Sequence, residues 1–203
     1  MTMNFHSINI DVMKELGNIG AGNAATALAK MLNKKVNMDV PRVRILEFKD
    51  VNEILGPADS VVTGILLNVT GDINGSIMFI LELNAARMLV DFLMMSPRSN
   101  NETFSDIELS ALKEIGNILS GAYLSALSTI TDLLIMPSIP DISIDMAGAI
   151  LSVPAIEFGK IGDTVLYIET VFSEGEDRVV GDFFLIPDID SYEILLKALG
   201  AGD

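Results

Sequence analysis

The sequence predicts an internally duplicated α+β fold, with two pseudo-twofold halves sharing a mainly antiparallel sheet covered by long helices. Three observations carry this. Residues 11–41 align without a gap on residues 110–140 at a constant offset of 99. Each half opens on a long stretch with apolar residues three and four apart, the helical period. Each half then carries two β-rich runs joined by a turn, which implies a hairpin and antiparallel pairing.

The repeat is dense where it matters. DVMKELGNIGAGNAATALAKML lies over SALKEIGNILSGAYLSALSTIT, and nine of the 31 aligned positions are identical. These are Lys14, Glu15, Gly17, Asn18, Ile19, Gly22, Ala27, Leu28 and Pro41 with their partners 99 residues on. The opening helices are expected over about 8–32 and 105–130. A short extended stretch follows before Pro41 and Pro140, because the residue ahead of proline is pushed toward β. A variable segment comes next, 42–56 and 141–159. The β-rich runs then span 60–72 and 76–83 in one half and 164–173 and 179–186 in the other. The first pair is joined by Gly71-Asp72-Ile73-Asn74-Gly75 and the second around Glu174-Gly175-Glu176-Asp177. Helices over 85–95 and 191–199 close the halves. The linker-like stretch 96–101 is too short to separate independent domains, so residues 1–203 are read as one domain with repeats at about 8–95 and 105–199.

Composition removes many functions. Half the residues are hydrophobic and mean hydropathy is +0.46, yet no run approaches the roughly 18 apolar residues of a membrane span. Residues 1–10 lack a basic region followed by an apolar core, so a cytoplasmic location is expected. Thirteen Lys and Arg against 28 Asp and Glu give a net charge of −15, which opposes binding to a phosphate backbone. Without cysteine there is no thiolate metal site or cysteine nucleophile, and the single histidine, His6, cannot supply a multi-histidine centre. Any chemistry must run on carboxylates, amides and hydroxyls.

At 100° per residue, Asp11, Glu15, Asn18 and Gly22 fall within roughly 60° of one another, and Ser110, Glu114, Asn117 and Gly121 repeat that stripe. Ala21, Ala25 and Gly22 keep the surface around the first stripe low. A glutamate three residues before an asparagine is by itself only a solvated face. A Gly-Asn pair is doubly unfavourable inside a helix, however, and it recurs at the same phase as Gly17-Asn18 and Gly116-Asn117. Close helix–sheet contact would account for the glycines but not for the asparagines. Gly20-Ala21-Gly22-Asn23-Ala24-Ala25 matches a dinucleotide-binding pattern, but it sits inside a helical stretch rather than after a strand. An amide can hold a water through its oxygen and NH₂ group, and a carboxylate can pair with a lysine. Such a pair suffices where the scissile bond is labile and positioning water is most of the task, as in an aspartyl phosphate.

In these residues the sequence resembles the CheC-type chemotaxis phosphatases, whose doubled pattern is Asp/Ser-x₃-Glu-x₂-Asn-x₂₂-Pro. Asp11, Glu15, Asn18 and Pro41 match one copy, and Ser110, Glu114, Asn117 and Pro140 the other, with no departure at any motif position. The resemblance implies hydrolysis of the aspartyl phosphate on a CheY-type response regulator. Glu15 and Glu114 would engage the regulator's lysine, while Asn18 and Asn117 would orient water for in-line attack. No cofactor of the chain's own is implied, the Mg²⁺ being supplied by the regulator. Asp11 and Ser110 would shape docking, and Pro41 and Pro140 would end or turn a strand. The family also implies a CheD-type receptor deamidase as partner. Asp145, beside the small residues Ala147–Ala149, is a candidate for that contact, against the plainer reading of a short core helix. Two further readings stay open: a non-catalytic module like the flagellar switch proteins, and an adaptor that sequesters the deamidase.

Overall fold

The structure is a computed structural model describing residues 10–94, 103–158, 164–174 and 177–200. His6, the 96–101 stretch and the middle of the second hairpin turn, Gly175-Glu176, lie outside the described residues. In chain order the elements are α1 (Ile10–Leu32), β1 (Asn37–Glu47), α2 (Val51–Leu55), β2 (Val61–Gly71), β3 (Gly75–Glu82) and α3 (Leu83–Met94). The second half supplies α4 (Asp106–Thr131), β4 (Ile135–Pro137), β5 (Asp141–Met146), α5 (Ala147–Phe158), β6 (Thr164–Glu174), β7 (Asp177–Pro187) and α6 (Ile189–Ala198). A single 3₁₀ turn, Phe48–Asp50, leads into α2.

The two long helices begin and end for local reasons. Ser105 caps α4 in a reciprocal box: its hydroxyl accepts from the Glu108 N–H, and Glu108 Oε2 accepts from the Ser105 N–H at 2.6 Å. Asn33 and Asp132, at equivalent repeat positions, adopt positive φ of 50° and 57° just past α1 and α4. Asn and Asp tolerate that left-handed conformation, so the duplicated stop signal is a side-chain property retained in both halves.

The sheet has seven strands in the order β1-β6-β7-β3-β2-β4, with β5 also paired to β2, and all pairings are antiparallel. The β2–β3 and β6–β7 hairpins lie back to back, joined by β3 and β7. Each half's first strand crosses over: β1 pairs with β6, while β4 and β5 pair with β2. The halves therefore exchange strands as well as sharing a sheet.

Alternation sends successive strand residues to opposite faces. Ile65, Leu67, Ile77, Phe79, Leu81, Leu166, Ile168, Phe183 and Leu185 face α1, α3, α4 and α6. Val62, Met78, Ile80, Val165, Tyr167, Phe184 and Ile186 face α2 and α5. Because both faces are covered, the central strands read as nearly continuous apolar runs.

Two expectations need correction. The extended stretch does not stop at Pro41, because β1 continues to Glu47 through a register shift between Asp39 and Arg42. Proline is tolerated there because β1 is an edge strand and the bulge asks for no ladder N–H. Pro140, by contrast, lies in the gap between β4 and β5. The variable segments also hold helices: five residues in α2, where none was expected, and twelve in α5, longer than the short core helix read at 145–150. The order is therefore helix, strand, helix, hairpin, helix in the first half, and the same in the second with two short strands, β4 and β5, in place of one. Among the described residues, no helix is long and apolar enough to cross a membrane.

Candidate active site

Helices α1 and α4 pack against each other over the sheet, burying Met13, Leu16, Ala24 and Leu28 on one and Leu112, Ile115, Leu119 and Leu127 on the other. That burial fixes the rotation of each helix and turns the opposite face outward. Asp11, Glu15 and Asn18 are exposed on α1, and Ser110, Glu114 and Asn117 on α4. Glu15, Asn18, Glu114 and Asn117 make no hydrogen bond or ion pair within the described residues. The two carboxylate–amide pairs are thus displayed to solvent with their bonding capacity unused.

The repeated glycines divide into two kinds. A Cβ on Gly17 would lie 2.9 Å from Val40 Cγ1 and Val43 Cγ2, and one on Gly116 would lie 2.6 Å from Ile65 Cγ2. These are the points where α1 meets β1 and α4 meets β2. Gly20 receives the ring of Tyr123, whose hydroxyl shares a buried 2.8 Å hydrogen bond with Thr170. The dinucleotide-like glycine is a helix–helix contact. Gly22 and Gly121, in contrast, meet nothing within 4 Å of an added Cβ. They sit one turn beyond the asparagines and leave the stripes open. Ala21, expected to flank the stripe, is 7% exposed and turned inward, so Gly22 and Ala25 form the low margin.

The first stripe borders a concavity of about 440 Å³ lined by Met13, Lys14, Asn18, Pro41, Arg42 and Arg44, among others. The equivalents of Arg42 and Arg44 in the second half are Asp141 and Ser143. The two stripes carry the same motif on flanks of different charge. The motif pattern omits these flanking residues, and the one available signal was the loss of both arginines across the repeat.

Asp145 belongs to neither stripe. It is exposed near the end of edge strand β5, pairs in register with Val62, and accepts a 2.7 Å hydrogen bond from the Met146 N–H. It also lines a gap between α5 and the sheet with Ala149, Ile150 and Val153. The core-helix reading of 145–150 holds from Ala147 onward, where α5 begins. Asp145 itself is strand.

Sequence reasoning missed the face of the sheet behind the stripes. Tyr167 Oη donates to Asp182 Oδ1 at 2.9 Å and lies 3.3 Å from Glu169 Oε2, and Arg42 Nη1 is 3.4 Å from the same Glu169 oxygen. Burial, reinforced by the charges of Glu169 and Glu82, pushes the Asp182 carboxyl up to about 6 against the stabilising Tyr167 hydrogen bond. The alternation of Leu166-Tyr167-Ile168-Glu169 was the visible sign of a polar face.

Residues 8–45 and 107–144 each match the model of the CheC-like family. Over 196 residues the chain is 38% identical to the CheY-P phosphatase CheC of Bacillus subtilis (strain 168), spanning 95% of this chain and 94% of that relative. The structure is similar to that of Thermotoga maritima FliY, with a TM-score of 0.71, 23% identity and 98% of each chain covered. It also resembles a chain of the CheX–CheY–BeF₃–Mg²⁺ complex from Borrelia burgdorferi, with a TM-score of 0.50, 15% identity, and 91% of this chain and 99% of that chain covered. At those identities the two structural likenesses speak to the fold. The sequence match over nearly the whole length speaks to kinship: this chain belongs to the CheC-like family.

Proposed function

We propose that this chain is a phosphatase that hydrolyses the aspartyl phosphate of a CheY-type response regulator in the cytoplasm. The observation that carries the reading is the two outward Glu-Asn pairs, whose four side chains make no hydrogen bond or ion pair within the described residues and are bordered by open glycines, in a chain aligned over 95% of its length with a CheY-P phosphatase. Hydrolysis requires water to approach phosphorus opposite the acyl oxygen, the P–O bond to break, and the carboxylate to leave. The Asn18 or Asn117 amide holds that water, with its oxygen accepting a hydrogen bond from it, and the water's proton leaves with the phosphate or the departing carboxylate. Glu15 or Glu114 pairs with the regulator's lysine and fixes the helix against the site. Asp11 and Ser110 head the stripes and shape the docking contact. Mg²⁺ belongs to the regulator in this reading, and no metal ligand is asked of this chain.

A CheD-type deamidase is the second proposed partner, with Asp145 in its contact. The β4–β5 edge supports this choice of surface. Among the described residues its outer ladder is unpaired, and Ile139 (87% exposed), Ile144 and Met146 stand out beside Asp145. Edge strands with exposed apolar side chains are ready partners for another chain. Asp145→Lys should abolish deamidase binding, and unchanged affinity would remove Asp145 from that contact.

Release of inorganic phosphate from a phosphorylated CheY-type regulator, with and without the chain, tests the main reading. Acceleration is expected, greater with the deamidase present. No acceleration in either condition would favour the non-catalytic binding module.

A further inference from the structure

The duplication shows what is missing from one half. Arg44 pairs with Tyr167 as its repeat equivalent Ser143 pairs with Gly64, and Arg42 pairs with Glu169 as Asp141 pairs with Leu66. Continuing across the hairpins, Asp182 stands where Met78 stands. The same patch of sheet is therefore Gly64-Leu66-Met78 in one half and Tyr167-Glu169-Asp182 in the other.

The first version is roofed by α5. Ile150 sits so close to Gly64 that a Cβ there would lie 2.7 Å from Ile150 Cγ2, and Ala147, Ile150 and Leu151 are buried. Among the described residues, the second version has only α2 over it, which ends after five residues where α5 runs for twelve. Beside it lies an open groove of about 770 Å³, walled by β1, β6, β7 and the start of α3. Seven further residues of helix occupy on the order of 800 Å³, taking a 10 Å diameter and a 1.5 Å rise. The void has the volume of the helical length that α2 lacks.

Its chemistry differs from that of the roofed patch. Asp50, Glu53, Glu82, Glu169 and Asp182 line it against Arg42, Arg44 and Arg178, leaving two negative charges in excess. Arg42 is already taken up by Glu169, and the Tyr167 hydroxyl has one proton for two carboxylates. Leu46, Ile54, Met88 and Val180 supply an apolar margin.

We propose that this groove is the seat of a helix from a partner protein, with lysine or arginine on its sheet-facing side and an apolar stripe along the margin. Such a helix would lie as α5 lies on the other half, its cations completing the Tyr167–Glu169–Asp182 cluster. Burial first, and then the charges of Glu169 and Glu82, raise the Asp182 carboxyl against the Tyr167 hydrogen bond, and none of the groove's arginines offsets them there.

The test is fluorescence anisotropy of two stapled helical peptides against the full chain. They share an apolar stripe and differ only at two positions one turn apart, Lys in one and Glu in the other. The lysine peptide should bind at least tenfold more tightly than the glutamate peptide. Glu169→Gln with Asp182→Asn should remove at least tenfold of its affinity, and so should Val180→Arg, which adds like charge at an exposed margin without entering the core. Both variants should melt cooperatively by circular dichroism. Equal affinity for the two peptides, no saturable binding of the lysine peptide by about 1 mM, or unchanged binding in both folded variants would overturn the proposal.

Discussion

Gly116 and Gly121 lie five residues apart on one helix, and the structure predicts opposite outcomes for the same substitution. A Cβ on Gly116 would meet Ile65 at 2.6 Å (Cγ2), 3.0 Å (Cδ1) and 3.2 Å (Cβ). Ile65 is fully buried on β2 between β3 and β5, and a β-branched side chain has few rotamers to retreat into. Overpacking of this kind costs about 1–3 kcal/mol, against a helix-propensity gain of about 1 kcal/mol for Gly→Ala. Gly116→Ala should therefore destabilise by about 1 kcal/mol, the middle of a range of about 0–2 kcal/mol. Gly121 has nothing within 4 Å, so Gly121→Ala keeps the propensity gain alone and should stabilise by about 0.5–1 kcal/mol. At roughly 2–4 °C per kcal/mol for a chain of this size, the two variants should separate by about 3–8 °C in thermal melts. Urea titrations with unchanged slope would confirm that the folded state is what changed. Shifts of the same sign would refute the division of the repeated glycines into packed and open kinds.

Two further predictions follow from charge. Asp182 holds its proton in the folded state up to about pH 6 but only to its ordinary value of 3.8 when unfolded, so folding loses stability as pH rises through that window. Asp182→Asn, which keeps an acceptor for Tyr167, should stabilise by about 1–2 kcal/mol at pH 7.5, within a ceiling of about 3 kcal/mol, and by nothing below about pH 4. A pH-independent difference in chemical denaturation would contradict this. The two stripes should also differ in salt dependence. With Asn117→Ala leaving only the stripe flanked by Arg42 and Arg44, phosphate release should fall more steeply from about 50 to 300 mM salt than with Asn18→Ala. Parallel slopes would show that the flanking charges do not reach the docking contact.

The duplication and both stripes were legible in the sequence because they rest on local periodicity and on identical residues at a fixed offset. Lys14-Glu15 and Gly17-Asn18 keep their phase relative to buried Leu16, so their outward orientation follows from the helix alone. The strand exchange was not legible, since whether β1 joins β2 or β6 depends on contacts more than 100 residues apart. Pro41 read as a strand stop, and only the discovery that β1 is an edge explains why it is not one. The short α2 has no periodicity that separates it from loop, and α5 was legible only as a short core helix at 145–150 rather than over its twelve residues. The Tyr167–Glu169–Asp182 cluster needs the hairpin register to bring position 169 opposite 182, which no local pattern reports.

The central claim is that the paired amides do the chemistry. Asn18→Ala combined with Asn117→Ala removes two exposed side chains that make no hydrogen bond or ion pair within the described residues, so folding and regulator binding should be preserved. Phosphate release from the phosphorylated regulator should then fall to its spontaneous rate. A double variant that binds normally and still accelerates hydrolysis would contradict the account.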